Sequence, residues 1–349
     1  MTAHAEHATA TNTRTVAVAG ASGFVGRAVV RELLARGFAV RVLARDRAKA
    51  RNVLPRQGVT IITGEVGTDH AQDNAQSDPS AITNFLTGAF ACINLIGIIR
   101  EDRSKGQTFQ KCHTQAVKIL SDACVAAGVT RFVQMSALGV KDVHVSEYQR
   151  TKFEGEAILK RSGLDWTIFR PSLIHGAEGE FVQTAIKWCS GNHPPFLFLP
   201  YFTRSVEETR VPLGGISQFD PVIAPIYVAD VASAFVECLD RPQTFGEIYN
   251  LAGPERLTWP AMLRVMRDNI PGANTRLQPF GLPGDIAALG AKFAALAKVG
   301  QFLPFDEGMA KMGSEDSFAT LDKVRTDIGL TPAPFTQTFK SYASALGDH

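Results

Sequence analysis

A glycine-rich turn constrains this chain more than any other feature. GASGFVG places Gly20, Gly23 and Gly26 between the apolar run TVAVA and the helical pattern FVGRAVVRELLARG. One glycine is enough for a tight turn, whereas three in this register let the backbone turn sharply, approach a ligand closely and pack the helix against its strand. The helix N-terminus that follows offers unpaired N–H groups and the positive end of a dipole. The sequence therefore predicts a cradle for a dinucleotide pyrophosphate.

Strand and helix patterns alternate from Arg14 onward. The predicted strands are TVAVAG, AVRVLAR, VTIITG, AFACINLIG, TRFVQMSA and DWTIFRP, with helical patterns between most of them. Strands spaced by helices imply right-handed crossovers and a parallel sheet that is covered on both faces. We therefore predict an α/β fold, with a Rossmann-type doubly wound parallel sheet and a smaller C-terminal substrate lobe.

The end of the second predicted strand indicates which dinucleotide the cradle would hold. In VLARDR, Ala44 takes the place where NAD-selective sites carry an acidic side chain, and Arg45 follows it. An arginine at this place can pair with a 2′-phosphate. The sequence therefore favours NADP(H), while Asp46 keeps NAD(H) open. An exposed basic turn at Arg45 and Arg47 is the alternative interpretation.

The segment SEYQRTKFEGE places Tyr148 four residues before Lys152, at the start of a helix that follows the fifth strand. One helical turn puts both side chains on the same face, which should lie over the carboxyl ends of the strands. A phenol is a poor acid–base catalyst at neutral pH until a neighbouring cation stabilises the phenolate. We predict Tyr148 as the catalytic acid–base residue and Lys152 as its electrostatic partner. Two polar residues on a solvated helix are the alternative.

Ser136 ends the strand FVQMSA, twelve residues before Tyr148. Its hydroxyl could hold a substrate oxygen while Tyr148 transfers a proton and a hydride moves to or from the cofactor. A strand-end serine that is satisfied by the backbone is an equally good interpretation. Both interpretations stay open.

These segments resemble the short-chain dehydrogenase/reductase superfamily, specifically its extended and atypical branches. The resemblance runs from about Thr15 to Gly253 and rests on GASGFVG, CINLIGI, YQRTK and FRPSLIHG. Within the superfamily, the chain is most similar to the group that contains the NADPH-binding accessory subunit of respiratory complex I and its bacterial relatives. Several relatives in that group have lost catalytic side chains and bind nucleotide only structurally. This chain keeps the tyrosine and lysine, which favours an enzyme.

The resemblance also implies roles for matching residues. It places Lys152 on the nicotinamide ribose, Glu65 of TGEV near the adenine, and Arg170 with Pro171 near the nicotinamide. MSALGV departs from the Thr-Ser-Ser strand end of extended members, which weakens the case for Ser136. The complete set of predicted cofactor contacts is Gly20, Ser22, Gly23, Phe24, Gly26, Arg45, Glu65, Ile96, Gly97, Lys152, Arg170 and Pro171.

Composition argues against several classes of function. Thirty-six basic residues against thirty-four acidic ones give a net charge of +2, and no basic block interleaves with aromatics, so we predict no nucleic-acid partner. The five cysteines are scattered, which predicts neither a disulfide framework nor a metal site. Because no run of about 18 apolar residues occurs, we expect a cytoplasmic protein, with a peripheral contact to the inner membrane as the alternative.

Two regions after Pro171 have a different character. GNHPPFLFLPYFTR and VPLGGISQFDPVIAP are rich in proline and glycine, which predicts loops over a cleft. The segment over residues 282–305 is apolar with few charges. It is interpreted either as a core-facing helix of the small lobe or as an amphipathic lid that contacts a membrane, a protein complex or a lipid-like substrate.

These observations predict a disordered tail over residues 1–13, an NAD(P)-binding Rossmann domain over 14–175, and a substrate lobe over 176–349. Residues 222–253, approximately, are expected to return to the sheet. The predicted function is NAD(P)-dependent oxidoreduction, or an epimerase- or dehydratase-like reaction, of a small or lipid-like carbonyl or hydroxyl compound. The alternative is a non-catalytic NADPH-binding accessory subunit or sensor of a respiratory or quinone-related membrane complex.

Overall fold

The computed structural model describes residues 13–66, 79–142, 146–208, 215–288 and 307–347. The predicted N-terminal tail, apart from Thr13, lies outside the described residues. Residues 67–78 and the apolar segment from residue 289 onward also lie outside them.

Within these ranges, bounds are established for fourteen strands and eleven α-helices. The strands are β1 (Thr15–Ala19), β2 (Ala39–Ala44), β3 (Val59–Thr63), β4 (Ala91–Asn94), β5 (Arg131–Met135), β6 (Asp165–Pro171), β7 (Ile174–His175), β8 (Phe198–Glu208), β9 (Gly215–Phe219), β10 (Val222–Ile223), β11 (Ile226–Tyr227), β12 (Glu247–Leu251), β13 (Leu257–Thr258) and β14 (Gln278–Pro283). The helices are α1 (Phe24–Ala35), α2 (Arg47–Val53), α3 (Pro79–Leu86), α4 (Ala116–Ala127), α5 (Glu147–Lys160), α6 (Glu180–Ser190), α7 (Val228–Glu237), α8 (Trp259–Asn269), α9 (Glu307–Gly313), α10 (Asp322–Ile328) and α11 (Phe335–Ala343).

Seven parallel strands form the main sheet, in the order β12-β6-β5-β4-β1-β2-β3. The chain builds outward from β1 through β2 and β3, then crosses to β4 on the other side. This reversal between β1 and β4 is the switch point at which open α/β sheets bind ligands, beyond the carboxyl ends of the strands. The predicted doubly wound Rossmann-type sheet is confirmed.

The main sheet is buried on both faces, because the strands carry runs of apolar residues without alternation. On one face, α1 and α7 pack through side chains that include Val29, Leu33 and Phe235. On the other face, α3, α4 and α5 pack through residues that include Phe85 and Leu120. The sheet is therefore rigid, and it fixes the positions of the loops at its carboxyl edge.

A separate core holds the smaller lobe together. Its buried residues come from α6, β8, α8 and α11, and include Val182, Leu199, Met262 and Phe339. The strand β12, which comes from the later part of the chain, pairs with β6 of the main sheet. We keep the predicted division into two domains as a proposal, with β12 in the first of them.

One expectation about the smaller lobe is wrong. Much of the two proline- and glycine-rich segments is not loop, since β8 and β9 form an antiparallel pair and β14 runs parallel to β8. Pro200 fits within β8 because β9 pairs only with residues 204–208, so the side of Pro200 away from β14 needs no N–H donor. Leu199 is fully buried, and Phe198, Tyr201 and Phe202 of the same strand are half-buried.

The apolar segment over residues 282–305 is described only at its start. Leu282 lies in β14, which ends at Pro283, and the backbone is helical over residues 284–288. The Ile286 side chain is 69% exposed. Within the described ranges, no helix combines the length and hydrophobicity that a bilayer crossing requires. All five cysteines are free thiols.

Candidate active site

The glycine-rich turn has the geometry of a phosphate cradle. Gly20 has a φ of 80°, and a Cβ there would lie 2.7 Å from the carbonyl carbon of Leu95. A Cβ on Gly26 would lie 2.3 Å from the carbonyl oxygen of Gly20. These two glycines are therefore required by the protein's own packing.

Gly23 is different, and it points to a ligand. Its φ of −73° suits any residue, and the nearest atom to an added Cβ is the carbonyl oxygen of Gly20 at 3.3 Å. Gly23 is also the N-cap of α1, which no side chain caps, so the first N–H groups of the helix lack that partner. Bare helix N–H groups beside a position without a side chain fit a pyrophosphate.

The two other predicted contacts in this loop are placed differently. Ser22 is exposed, and its carbonyl oxygen accepts a hydrogen bond from Arg27 at 3.2 Å. The ring of Phe24 lies against Gly176 and Gly179, and a Cβ added to either glycine would lie about 3 Å from the ring. The Phe24 ring therefore packs α1 against the chain after β7.

At the end of β2, the guanidinium of Arg45 lies 3.5 Å from the carboxylate of Glu65. With the amide of Gln107 oriented to present its oxygen, that oxygen accepts from both terminal nitrogens of Arg45, at 2.9 and 3.0 Å. Asp46 faces a different partner, because its side chain caps α2 by accepting from the backbone N–H of Lys49 at 2.9 Å. The structure thus brings the predicted residues Arg45 and Glu65 together.

Buried amides shape the chain after β4. The Asn94 side chain accepts from the N–H of Ile96 at 3.1 Å and donates to Gln134 at 2.9 Å. The bond from Ile96 holds the backbone at one predicted contact, and Gly97, the other, follows it directly. A Cβ on Gly97 would lie 3.1 Å from Nζ of Lys152, so the glycine leaves room for the ammonium group.

Tyr148 and Lys152 lie on one face of α5. Nζ of Lys152 is 5.8 Å from the centre of the Tyr148 ring and donates to the carbonyl oxygen of Met135 at 3.4 Å. Burial raises the pKa of Tyr148 to about 12. Burial also lowers the pKa of Lys152 to about 8, although the charge of Glu156 opposes this. The predicted pair is brought together, with the ammonium beside the phenol ring.

His113 also contacts this pair, although it was not among the predicted site residues. Its ring meets the Tyr148 ring edge-on, with the centroids 5.1 Å apart. Its Nδ1 lies 3.0 Å from Oγ1 of Thr151, and its Nε2 accepts from the N–H of Ile98 at 3.2 Å. Burial, followed by the charge of Lys152, lowers the pKa of His113 to about 2. The imidazole is therefore neutral at physiological pH.

The position of His113 depends on local structure that no simple pattern predicts. It lies in a π-helix over Gln110–Gln115, where the backbone departs from the α-helical register. A Cβ on Gly155 would lie only 2.2 Å from the carbonyl oxygen of His113, so this glycine allows α5 to pack against the π-helix. A glycine within α5 was the available sequence signal.

Ser136 and Arg170 both contact Glu156, which was not among the predicted site residues. The Ser136 hydroxyl donates to the carboxylate of Glu156 at 2.6 Å, and Arg170 donates to it through Nε at 2.8 Å and through a terminal nitrogen at 2.5 Å. The Ser136 hydroxyl is thus satisfied by a side chain. Pro171 is buried beside them, and its carbonyl oxygen accepts from the N–H of Leu138 at 2.9 Å. Glu156 follows Lys152 by four residues, which was its signal in the sequence.

The site follows the carboxyl edge of the sheet, with the cradle after β1 and the Tyr148–Lys152 pair on α5. Comparison with known protein families agrees with this arrangement, since the family model described as "NAD(P)H-binding" matches residues 20–186. The matched region includes both the cradle and α5. Among the described residues, no cluster of His, Cys, Asp and Glu could hold a metal ion.

Two named proteins are similar to this chain over part of its length. The chain is 29% identical over 255 residues to the NADH dehydrogenase [ubiquinone] 1 alpha subcomplex subunit 9, mitochondrial, of Arabidopsis thaliana; the match covers 72% of this chain and 57% of that protein. It is 31% identical over 161 residues to the ceramide reductase of Caulobacter vibrioides, with 46% of each chain covered. The chain therefore spans little more than half of the length of the plant relative. The predicted resemblance to the complex I subunit group is confirmed.

Solved structures share the fold. The NADPH-dependent quinone oxidoreductase QOR2 of Escherichia coli, complexed with NADPH, has a TM-score of 0.65 at 20% identity, covering 93% of this chain and 99% of that chain. A short-chain dehydrogenase/reductase superfamily protein of Agrobacterium tumefaciens with bound NAD has a TM-score of 0.63 at 18% identity, covering 95% and 97%. At these identities the likeness concerns the fold, which is that of NAD(P)-binding Rossmann proteins.

Proposed function

We propose that this protein is an NADP(H)-dependent oxidoreductase that acts on a small or lipid-like carbonyl or hydroxyl compound through Tyr148 and Lys152. The observation that carries the proposal is the position of this pair, on one face of α5 and beside Gly97 at the carboxyl edge of the sheet. The cradle at Gly20–Gly26 lies at the end of β1, which pairs with β4. A dinucleotide held there would extend toward the pair.

In this proposal, the bound nicotinamide supplies or accepts the hydride. Tyr148 donates a proton to a carbonyl oxygen during reduction, or removes it from a hydroxyl during oxidation. Burial raises the pKa of the Tyr148 phenol to about 12, so the phenol holds its proton firmly. A nearby positive charge is therefore needed to stabilise the phenolate at neutral pH. Lys152 supplies that charge and binds the nicotinamide ribose. The neutral imidazole of His113 packs against the Tyr148 ring and keeps it in position.

The proposed roles of the other residues follow from their partners. Gly23 leaves the space that the pyrophosphate fills. Ser136 and Arg170, with Pro171 alongside, support the nicotinamide end through Glu156 rather than as free donors. Glu65 lies on the adenine side, next to Arg45.

The preference for NADP(H) rests on Arg45. Its partner Glu65 is exposed and the pair is 3.5 Å apart, so the ion pair is weak and a 2′-phosphate can replace it. Asp46, the residue that kept NAD(H) open, has its carboxylate engaged at the N-terminus of α2. A carboxylate in that position is less free to accept from a ribose hydroxyl.

Substitution of Arg45 by alanine is expected to weaken NADPH binding about tenfold or more, because the charge-assisted bidentate hydrogen bond to the 2′-phosphate is lost. NADH binding should stay nearly unchanged, because NADH has no 2′-phosphate. Titration of the native chain and the variant, followed by the fluorescence of the reduced coenzymes, measures both affinities. Arg47→Ala is the matched control, since the Arg47 guanidinium donates to the carbonyl oxygen of Ile61. Equal affinity of the native chain for NADPH and NADH would contradict the role of Arg45.

The two relatives named above support different versions of this function. The bacterial relative is named a ceramide reductase, which supports a lipid-like substrate. The plant relative is named as a subunit of NADH dehydrogenase, which supports the second candidate: a non-catalytic NADPH-binding accessory subunit that docks at the inner membrane. The exposed Ile286, at the start of the apolar segment over 282–305, is where such a contact is proposed.

A further inference from the structure

A buried carboxylate connects the three elements that surround the Tyr148–Lys152 pair. Glu156 is 1% exposed and lies two turns after Tyr148 on α5. It accepts from Ser136, just beyond the end of β5, and from Arg170, near the end of β6. The Arg170 side chain is itself only 19% exposed, so this bidentate ion pair is shielded from solvent. It fixes α5 against the edge of the sheet.

The same carboxylate determines the charge balance around Lys152. Tyr148 and Glu156 face Lys152 from its own helix, His113 and Cys112 from the π-helix, and the Met135 carbonyl from β5. The imidazole is neutral, and burial raises the pKa of the Cys112 thiol. Among these groups, Glu156 is the only carboxylate. Lys160, at 3.7 Å, and Arg170 share it.

We infer that Glu156 is a positioning residue that holds α5 in register with β5 and β6 and keeps the Lys152 ammonium protonated in its buried site. The inference rests on the proposed acid–base function of Tyr148 and Lys152. It gives Arg170 and Ser136 a different role from the one predicted for them, since they act through Glu156. A deprotonated Lys152 could not share the charge of the phenolate, so the loss of Glu156 would reduce activity first at alkaline pH.

The sign of the effect separates this role from simple packing. Substitution of Glu156 by glutamine keeps the size of the side chain and leaves Arg170 as an uncompensated cation, so Lys152 should lose its proton at lower pH. Substitution of Arg170 by glutamine removes a cation and leaves Glu156, so the titration of Lys152 should not move to lower pH. A purely structural ion pair would make both variants behave alike.

The experiment follows the Lys152 side chain directly. Protein labelled with ¹³C at the ε-carbons of lysine is titrated by NMR, and Lys152→Arg identifies the signal. We expect the Glu156→Gln midpoint to fall by about one pH unit and the Arg170→Gln midpoint to stay or rise. Glu156→Asp, which keeps the charge, should restore most of the native midpoint. An unchanged midpoint in Glu156→Gln, or an equal fall in both variants, would overturn the inference.

Two further readouts keep the test independent of folding and of the proposed function. Thermal unfolding identifies a variant that does not fold. The double variant Glu156→Gln/Arg170→Gln, which leaves neither member of the Glu156–Arg170 ion pair without its partner, then replaces it, and its midpoint should lie between those of the single variants. The pH dependence of NADPH oxidation is measured in parallel. A native chain without turnover, but with the expected Lys152 titrations, would contradict the proposed function and leave the charge role of Glu156 standing.

Discussion

The Tyr148→Phe variant is expected to lose about 10² to 10⁴ of the turnover rate, which is the usual contribution of a positioned acid–base group. Its affinity for NADPH should stay within about twofold of the native value, because the hydroxyl makes no hydrogen bond within the described part of the chain and its removal leaves the ring packing intact. Turnover is measured as NADPH oxidation with a panel of quinones, ketones and aldehydes. Coenzyme affinity is measured by fluorescence titration.

Tyr201→Phe is the matched control for this variant. The Tyr201 hydroxyl donates to Asp220 on the smaller lobe at 2.7 Å, so the same chemical change is made in another part of the fold. Turnover should persist in Tyr201→Phe. If the native chain turns over and Tyr148→Phe is equally active, the acid–base role is wrong, and the accessory-subunit interpretation gains support.

Substitution of Gly23 by alanine should weaken the binding of both coenzymes by about a hundredfold while the fold persists. The φ of Gly23 suits alanine, and the new methyl group would meet only the carbonyl oxygen of Gly20, at 3.3 Å. The methyl group would instead occupy the space next to the first N–H groups of α1, where the pyrophosphate is proposed to lie. Fluorescence titration with NADPH measures the loss, and circular dichroism during heating follows the fold.

Gly26→Ala provides the contrast. Its Cβ would lie 2.3 Å from the carbonyl oxygen of Gly20, so the helix must move away from its strand and the melting temperature should fall clearly. Gly23→Ala should melt within a few degrees of the native chain. A Gly23→Ala variant that binds NADPH as tightly as the native chain would place the pyrophosphate elsewhere.

Much of the fold was predictable because its signals are local. The three glycines stand in one turn and the alternating strands and helices follow one another along the chain, so crossover rules determine the sheet. Tyr148 and Lys152 are one helical turn apart, which places them on the same face wherever α5 lies. These features depend on a few neighbouring residues, and each is present in the sequence as printed.

The remaining parts of the site depend on contacts between distant segments. Arg170 is predicted as a cofactor contact, but its partner Glu156 lies on another element and could not be predicted. Because both side chains are largely buried, either charge would be costly without the other. His113 is oriented by a π-helix and by the close approach of Gly155. The strand β8 was missed because proline argues against a central strand, whereas Pro200 lies where only β14 pairs with β8. Only the pairing of elements settles such cases.

A crystal structure of the chain grown with NADP⁺ tests the central claim most directly. We expect the diphosphate against the N–H groups that follow Gly23, the 2′-phosphate beside Arg45, and the reactive carbon of the nicotinamide within about 4 Å of the space in front of the Tyr148 hydroxyl. A dinucleotide bound away from the carboxyl edge of the sheet, or a nicotinamide ring on the far side from Tyr148, would contradict the account.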